Sequence, residues 1–390
     1  MTDFSAQKWA WAGAIALIVA MGIGRFVYTP ILPAMAQALS LGHAMAGWIA
    51  SANFAGYLAG AALASLVKKQ LRAAVIAGLF ASALTTEAMG AVSSPLAFIV
   101  LRTAGGVASA IVLVCGSSLV LEGLQEKGRD GLSALYFAGV GMGIALSAAT
   151  IWALEGADWR MLWYASGALS LAGSVAVALL LPQGTGRRPT QTAQTARAQN
   201  SRAMTPLLAA YGLFGFGYVI TATFLVVQVR GFHLGAGIEP TVWLIVGLSA
   251  VPSVAAWTWI GARMGLLRAY ALASAIEAVG VAASVLWPTL TGALISAFLL
   301  GATFVGLTAL GLRAARDHAA DPPRMIAWMT MSFGVGQIVG PTVAGQLAAH
   351  TGNFTLATLI AAATLLLAAA LTGFQRSCKS PSTPTARGGA

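Results

Sequence analysis

The chain has 390 residues, of which 58% are hydrophobic and only 8% are charged, and its mean hydropathy is +0.80. A soluble domain carries roughly a quarter charged residues, so this composition excludes a soluble globular protein and indicates a polytopic membrane protein. The net charge of +11 does not indicate nucleic-acid binding, because the basic residues fall in gaps between apolar runs and form no basic face with interleaved aromatic residues.

Apolar windows of about 20 residues predict twelve membrane-spanning helices. The predicted spans cover residues 9–38, 44–67, 72–91, 95–124, 130–154, 159–181, 204–230, 240–262, 267–287, 289–315, 323–349 and 353–374. Residues 182–203 are rich in Thr, Gln and Arg and predict a disordered cytoplasmic linker between two six-helix halves, 1–181 and 204–374. Residues 375–390 predict a disordered cytoplasmic tail of similar composition.

The first span carries an arginine near its middle, in the stretch MGIGRFVYTPILPAM (21–35). An arginine in mid-membrane costs about 2.5–3.5 kcal/mol on insertion scales, so Arg25 must face protein, water or a ligand. Tyr28 shares its helical face, and Pro30 and Pro33 weaken the helix beyond it. A guanidinium suits carboxylate or phosphate, so Arg25 and Tyr28 are predicted to bind an anionic substrate. The alternative is a structural arginine bonded to backbone carbonyl groups.

Three further charged residues are candidates for a role within the membrane. Arg102, in the fourth span, is followed by Gly105 and Gly106, which permit close helix approach. It is either a second substrate or coupling contact or a packing arginine that bridges the first and fourth helices. Glu87 and Glu277, in the third and ninth spans, are candidates for carrying a coupled proton. The alternative for each is a neutral carboxyl group that is hydrogen-bonded to a neighbour.

Two acidic residues occupy corresponding positions near the cytoplasmic ends of the fourth and tenth spans, Glu122 and Asp317. They are expected to form ion pairs with basic residues of the neighbouring loops during state switching, and the candidates are Lys69, Arg129 and Arg324. The histidines and cysteines have no metal-ligand spacing, and the sequence contains no nucleophile–base set and no Walker-type glycine-rich loop. We therefore expect no enzyme activity, no metal and no cofactor.

The distribution of basic residues predicts the orientation in the membrane. Arg25 and Arg102 lie within spans, and Arg160 and Arg230 lie in loops on one side. Every other lysine and arginine falls on the opposite side. By the positive-inside rule that side is the cytoplasm, and both termini lie there. The alternation continues through all the predicted spans, which supports an even number of them.

The two halves repeat each other in sequence. The pair Leu-Arg at 71–72 recurs at 267–268, and GADWR and TGNFT place Asp158 and Asn353 at matching helix N-caps. A parallel six-plus-six repeat is typical of the two halves of a major-facilitator transporter.

The chain resembles the major facilitator superfamily over its whole length. GIGRFVYTPILPAM (22–35) is similar to the first-helix signature of its uncharacterised YbfB/YjiJ-like branch, and GYVITATF (217–224) to that branch's seventh helix. Ser65 stands where the superfamily usually has an aspartate between helices 2 and 3, and the Gly-Pro motif of antiporters appears in the eleventh span (336–345) instead of the fifth. The resemblance implies an all-α fold of twelve transmembrane helices in two pseudo-symmetric bundles, in a bacterial inner membrane.

The resemblance also implies which helices line a central cavity. The polar residues on those helices are Asn53 and Tyr57 in the second, Tyr136 in the fifth, Tyr218 and Thr221 in the seventh, and Gln337 in the eleventh. Thr221 is the repeat partner of Arg25, so the N-terminal half supplies the charge and the C-terminal half supplies neutral hydrogen-bonding groups. Two membrane arginines, with no aspartate in the first helix, favour an anionic substrate over a cationic drug.

These observations predict a monomeric secondary transporter of a small organic anion that works by alternating access and is coupled to protons. Its partners are a small-molecule substrate and the lipid bilayer. One alternative is a proton-driven exporter of amphipathic compounds that uses Glu87. Another is a receptor or sensor that does not transport, against which the short loops argue.

Overall fold

The computed structural model describes residues 2–182, 204–235 and 237–374, so most of the predicted linker and the whole predicted tail lie outside the described residues. Within these ranges the chain forms helices and turns and no strand. The membrane helices are α1 (Ala6–Leu39), α2 (His43–Leu66), α3 (Leu71–Ala88), α4 (Pro95–Glu126), α5 (Ser133–Ala153), α6 (Trp159–Leu180), α7 (Thr205–Arg230), α8 (Ile238–Ala250 and Ser253–Met264), α9 (Leu266–Leu286), α10 (Leu290–His318), α11 (Pro322–Thr351) and α12 (Thr355–Gly373). They follow the predicted spans in order.

Most of these helices meet the requirements of a membrane span by themselves. Ten helices of the described chain are long and apolar enough to cross a bilayer, and the two parts of α8 together make an eleventh. The remaining helix, α11, has 30 residues and is long enough, but its polar residues, such as Gln337 and Gln346, lower its hydropathy. Large apolar side chains cover the outside of the bundle, including Leu66, Leu179 and Phe374, as expected for a surface in lipid.

The helix α1 is interrupted near its middle. A π-helical turn covers Ile18–Ile23, where the Gly24 amide donates to the Val19 carbonyl five residues back at 2.8 Å. The α-helix resumes at Tyr28. The amide of Thr29 donates to the Phe26 carbonyl at 3.2 Å, three residues back, instead of to the Arg25 carbonyl. The break lies before Pro30, and the α-helix continues through Pro30 and Pro33 to Leu39, so the predicted weakening beyond Arg25 is placed too late in the chain. Backbone carbonyls at the break are free to accept from another helix.

The helix α8 contains a second interruption, which the prediction of one continuous span did not include. Its two parts meet at an angle of 44°, and the break lies at Val251 and Pro252. Proline has no amide hydrogen and its ring crowds the preceding turn, so it is the physical cause of the bend.

The helix caps agree with the repeat in one half and differ by one position in the other. The Asp158 carboxylate caps α6 by accepting from the Arg160 amide at 2.8 Å, as predicted. The Asn353 side chain accepts from the Thr355 amide at 3.0 Å, but the N-cap position of α12 is Phe354. The predicted cap of α12 therefore lies one residue too early, although its hydrogen bond forms.

The two bundles, α1–α6 and α7–α12, contact each other closely through α2 and α11. Gly47 lies directly on the backbone of Pro341, where a Cβ atom would collide with the carbonyl group. The Ser51 hydroxyl donates to the Ile338 carbonyl at 2.6 Å, and the Thr342 hydroxyl donates to the Ser51 oxygen at 2.8 Å. Glycine is needed at position 47 because the two backbones approach too closely for any side chain.

Further contacts between the halves lie at the end that carries the α1–α2 and α7–α8 loops. The Thr29 hydroxyl donates to the Ala222 carbonyl at 2.7 Å, which joins α1 to α7. The Gly237 amide, at the start of α8, donates to the Glu155 carboxylate at 2.6 Å. These contacts join the two halves on the side that the distribution of basic residues predicts to be periplasmic.

Candidate functional site

Arg25 lies in the break of α1 and is 3% exposed. Its guanidinium carbon is 4.2 Å from the ring centroid of Tyr57, 4.7 Å from that of Phe54 and 5.6 Å from that of Phe26. Such cation–π contacts stabilise a buried cation, by about 0.5–2 kcal/mol each. Aromatic faces, rather than an acidic side chain, therefore surround the charge in the middle of the membrane.

The guanidinium of Arg25 retains unused hydrogen-bonding capacity. Its Nε and Nη2 atoms are buried, and neither has a hydrogen-bond partner among the described residues. These two nitrogens form one edge of the planar group, the edge that binds a carboxylate through two parallel hydrogen bonds. Leaving a buried donor unsatisfied costs about 1–3 kcal/mol, so an unpaired edge of this kind needs a functional explanation.

A small cavity is lined in part by Arg25. Its volume is about 10 Å³, and its lining includes Arg25, Phe54 and Arg102 on one side and Ala222 and Thr223 of α7 on the other. This volume is close to the minimum that admits one water molecule. A substrate can therefore reach Arg25 only when the surrounding side chains or the two halves move apart.

Arg102 has a different environment from Arg25. Its Nη1 donates to the Gly24 carbonyl at 3.0 Å and its Nη2 donates to the Arg25 carbonyl at 2.9 Å. The Asn53 side-chain amide in turn donates to the Arg102 carbonyl at 2.9 Å. Arg102 thus bridges α4 to the break in α1. This arrangement corresponds to the alternative in which Arg102 is a packing residue, because two of its three guanidinium nitrogens donate to backbone carbonyl groups.

Several other predicted contacts in the N-terminal half also have protein partners. The Tyr28 hydroxyl donates to the Ala46 carbonyl at 3.0 Å, which fixes α1 against α2. The Tyr136 hydroxyl lies 3.2 Å from the Ser117 hydroxyl, within hydrogen-bonding distance. Tyr57 is half-buried and contributes its ring face to Arg25. Of this group, Tyr57 is the residue that the structure brings directly to Arg25.

The C-terminal half supplies the polar groups that the sequence predicted, together with aromatic rings that it did not. The Gln337 side-chain amide donates to the Tyr218 hydroxyl, while the Gln337 Oε1 and the buried Thr221 hydroxyl have no partner in the described chain. The Tyr218 ring lies parallel to Phe304 and Phe333, with centroid distances of 5.7 and 5.8 Å.

The sequence predictions consider only polar groups and omit four aromatic residues of this region. Phe26 and Phe54 face Arg25, Phe304 contacts Phe26, and Phe333 stacks on Tyr218. A signal was present for Phe54, because it precedes Tyr57 by three residues and so shares its helical face. No comparable signal connects Phe304 to Arg25, since they come together only when the halves pack.

The two candidate proton carriers lie in contrasting places. Glu87 is the penultimate residue of α3, is half-buried, and packs against Gly167 of α6, so it lies near the edge of the membrane. Glu277 lies in the middle of α9 and is fully buried, and neither carboxyl oxygen has a hydrogen-bond partner in the described chain. The hydrogen-bonded alternative considered for Glu277 is therefore not what the structure contains.

The predicted gating residues are distributed along one end of the bundle. Asp317 lies 3.8 Å from Arg313 of the same helix, at a spacing of four residues, and both side chains are about half exposed. The ion pair of Asp317 in this structure is with a neighbour on its own helix, and the expected pairing with loop residues during state switching stays a prediction. Lys69 and Arg129 lie in the α2–α3 and α4–α5 loops, Glu122 lies in the last turns of α4, and Arg324 begins α11.

Two six-helix bundles joined face to face are the architecture of secondary transporters of the major-facilitator type. The chain belongs to the family described as uncharacterised MFS-type transporter YbfB, whose model matches residues 17–373. The family prediction and the fold-class prediction are thereby confirmed, and the protein is a membrane transporter and not an enzyme.

Solved structures with this fold include other transporters. A mutant of the nucleoside transporter NupG is 17% identical with a TM-score of 0.72, and the match covers 93% of this chain and 98% of that one. A bacterial homologue of the human lysosomal transporter Spinster, in an inward-facing and occupied conformation, is 13% identical with a TM-score of 0.72, covering 96% of each chain. At these identities the likeness establishes the fold alone. Comparison with curated proteins gives no match.

Proposed function

We propose that this transporter moves a small organic anion across the bacterial inner membrane by alternating access and that the movement is coupled to protons. In this proposal the protein acts as a monomer with both termini in the cytoplasm. The single observation that supports it best is the unpaired Nε–Nη2 edge of Arg25, buried at the break in α1. A carboxylate supplies the two acceptors and the negative charge that this edge lacks.

The proposal gives the two membrane arginines separate roles. Arg25 binds the anionic group, while Arg102 holds the break in α1 open through the Gly24 and Arg25 carbonyls. Arg102 is therefore a positioning residue for Arg25. Alternating access then requires the contacts between the halves to break, including those of Thr29 with Ala222.

The proton is assigned to Glu277. A carboxyl group in hydrocarbon without a partner is stable when it is neutral, and it becomes charged only when water or a cation reaches it. In this proposal the rearrangement that separates the two halves brings water to Glu277, so protonation and conformation are linked. Glu87 is less suited to this role because it already lies at the membrane edge.

The proposed substrate differs from that named for one structural neighbour. A neutral nucleoside has no anionic group for the Arg25 edge, so the geometry favours an acid over the type of compound carried by NupG. An exporter of amphipathic compounds would likewise not need the Nε–Nη2 edge of Arg25, so this edge favours anion transport over that alternative.

The test is counterflow in proteoliposomes loaded with a panel of carboxylates, amino acids, nucleosides and cationic dyes. We expect counterflow with one or more monocarboxylates and none with cationic dyes. Arg25→Lys should weaken apparent affinity by at least tenfold, because it keeps the charge but loses the planar edge. Counterflow with nucleosides or dyes alone would reject the organic-anion proposal.

A further inference from the structure

We infer that the transported anion is an aromatic carboxylate, whose ring inserts between Phe26 of the N-terminal half and Phe304 of the C-terminal half. This inference rests on the proposed role of Arg25 and adds a substrate class to it.

The aromatic side chains around Arg25 continue from one half of the protein into the other. Phe26 and Phe304 meet edge to face, with centroids 5.9 Å apart and planes at 77°. From Phe304 the rings continue as a parallel stack through Tyr218 and Phe333, with interplanar angles of 10° and 5°. Phe26 also faces the Arg25 guanidinium. The aromatic surface therefore begins at the charge and crosses the interface between the bundles.

The contact between Phe26 and Phe304 must change when the protein works, because it joins two bodies that separate during alternating access. At a centroid distance of 5.9 Å no ring fits between them. A ring in contact with both has its centroid at least about 4.5 Å from each of theirs, so the two centroids must move to about 9 Å apart or more. The cavity beside Arg25, which holds about one water molecule, supports the same conclusion.

The geometry of an aromatic acid matches these two features together. Its carboxylate is conjugated with the ring and lies in or near the ring plane, so a carboxylate paired with the Nε–Nη2 edge extends a flat surface away from Arg25. The ring then replaces the direct contact between Phe26 and Phe304 by two ring–ring contacts. A saturated ring of the same size is thicker and has no π face, so it would fit the same space less well.

If instead the rings only pack the core and shield the charge of Arg25, ring planarity in the substrate should not matter. The experiment therefore compares proteoliposome uptake of benzoate and cyclohexanecarboxylate, which have the same charge and the same carbon skeleton. We expect the wild-type protein to transport benzoate with an apparent affinity at least tenfold higher. Phe304→Leu should reduce that preference to threefold or less, and Phe304→Tyr should retain it.

A matched control is Phe98→Leu, since Phe98 is fully buried and contacts Trp159, a residue outside the site. It should leave the preference unchanged. Equal affinities for the two acids in the wild-type protein would overturn the aromatic inference and leave the proposed anion transport intact. Transport of neither acid, nor of any other carboxylate in the panel, would reject the proposed function itself.

Discussion

The same substitution at the two membrane arginines should lower the melting temperature at Arg102 and leave it nearly unchanged at Arg25. Arg102→Gln removes two hydrogen bonds from a charged donor to the Gly24 and Arg25 carbonyls, at 3.0 and 2.9 Å. Polar interactions inside membranes average about 0.6 kcal/mol and reach about 1.7 kcal/mol, so the two bonds contribute about 1–3 kcal/mol. A loss of this size should lower the melting temperature measurably, by a few degrees.

Arg25→Gln removes a guanidinium whose Nε and Nη2 atoms bond to nothing in the described chain. The variant loses cation–π contacts with Tyr57 and Phe54, about 0.5–2 kcal/mol each. It also removes two buried donors that have no partner in the described chain, each of which costs about 1–3 kcal/mol. These terms are of similar size and opposite sign, so the melting temperature should stay within about 3 °C of the wild type while transport is lost.

The assay is thermal unfolding of the purified wild-type protein and both variants in one detergent, followed by intrinsic fluorescence, with uptake measured on the same preparations. The reasoning would be refuted if Arg25→Gln lowered the melting temperature as much as Arg102→Gln, since Arg25 would then be a structural residue. An unchanged melting temperature for Arg102→Gln would contradict the role of Arg102 in bridging α4 to the break in α1.

Three further predictions follow from the same structure. Glu277→Gln should abolish pH-driven uptake and leave substrate exchange intact, because exchange needs no net proton movement. Glu87→Gln should keep both activities. Loss of both activities in Glu277→Gln would reject Glu277 as the proton carrier. Reporter domains fused after Ala390 and inserted in the 182–203 linker should both report the cytoplasm, and a periplasmic signal from either would overturn the topology. Glu155→Gln should weaken closure at the end that carries the α7–α8 loop, because its hydrogen bond caps α8 across the two halves; spin-label distances that match the wild type would contradict this role.

The overall fold could be predicted from the sequence because membrane helices are set by local composition. Each span can be identified separately from the length of its apolar run and from the basic residues in the adjoining loops. The sequence repeat shows that the two halves correspond, without any knowledge of how the helices pack. The bend of α8 was not predicted, although Pro252 is visible in the sequence, because a proline in a membrane helix is compatible with either a continuous or a broken span.

The site was predictable only in part, because partners of buried charges depend on packing. Arg25 can be identified as a candidate site residue from the sequence, because it lies in a long apolar run and is followed by two prolines. The role of Arg102 could not be separated from that of Arg25 in the sequence, since its acceptors are carbonyls that become available only at the helix break. Similarly, Glu87 and Glu277 look alike in the sequence, and only the three-dimensional packing distinguishes the half-buried residue from the fully buried one.

The central claim is that Arg25 recognises the negative charge of the substrate, and calorimetric titration with an acid and its neutral amide tests it most directly. Benzoate and benzamide have the same ring and similar size, and only the acid offers two charged acceptors to the Nε–Nη2 edge. We predict that benzoate binds the wild-type protein at least tenfold more tightly than benzamide and that Arg25→Gln abolishes this difference. Equal binding of the two compounds to the wild-type protein, or a difference that survives in Arg25→Gln, would contradict the claim.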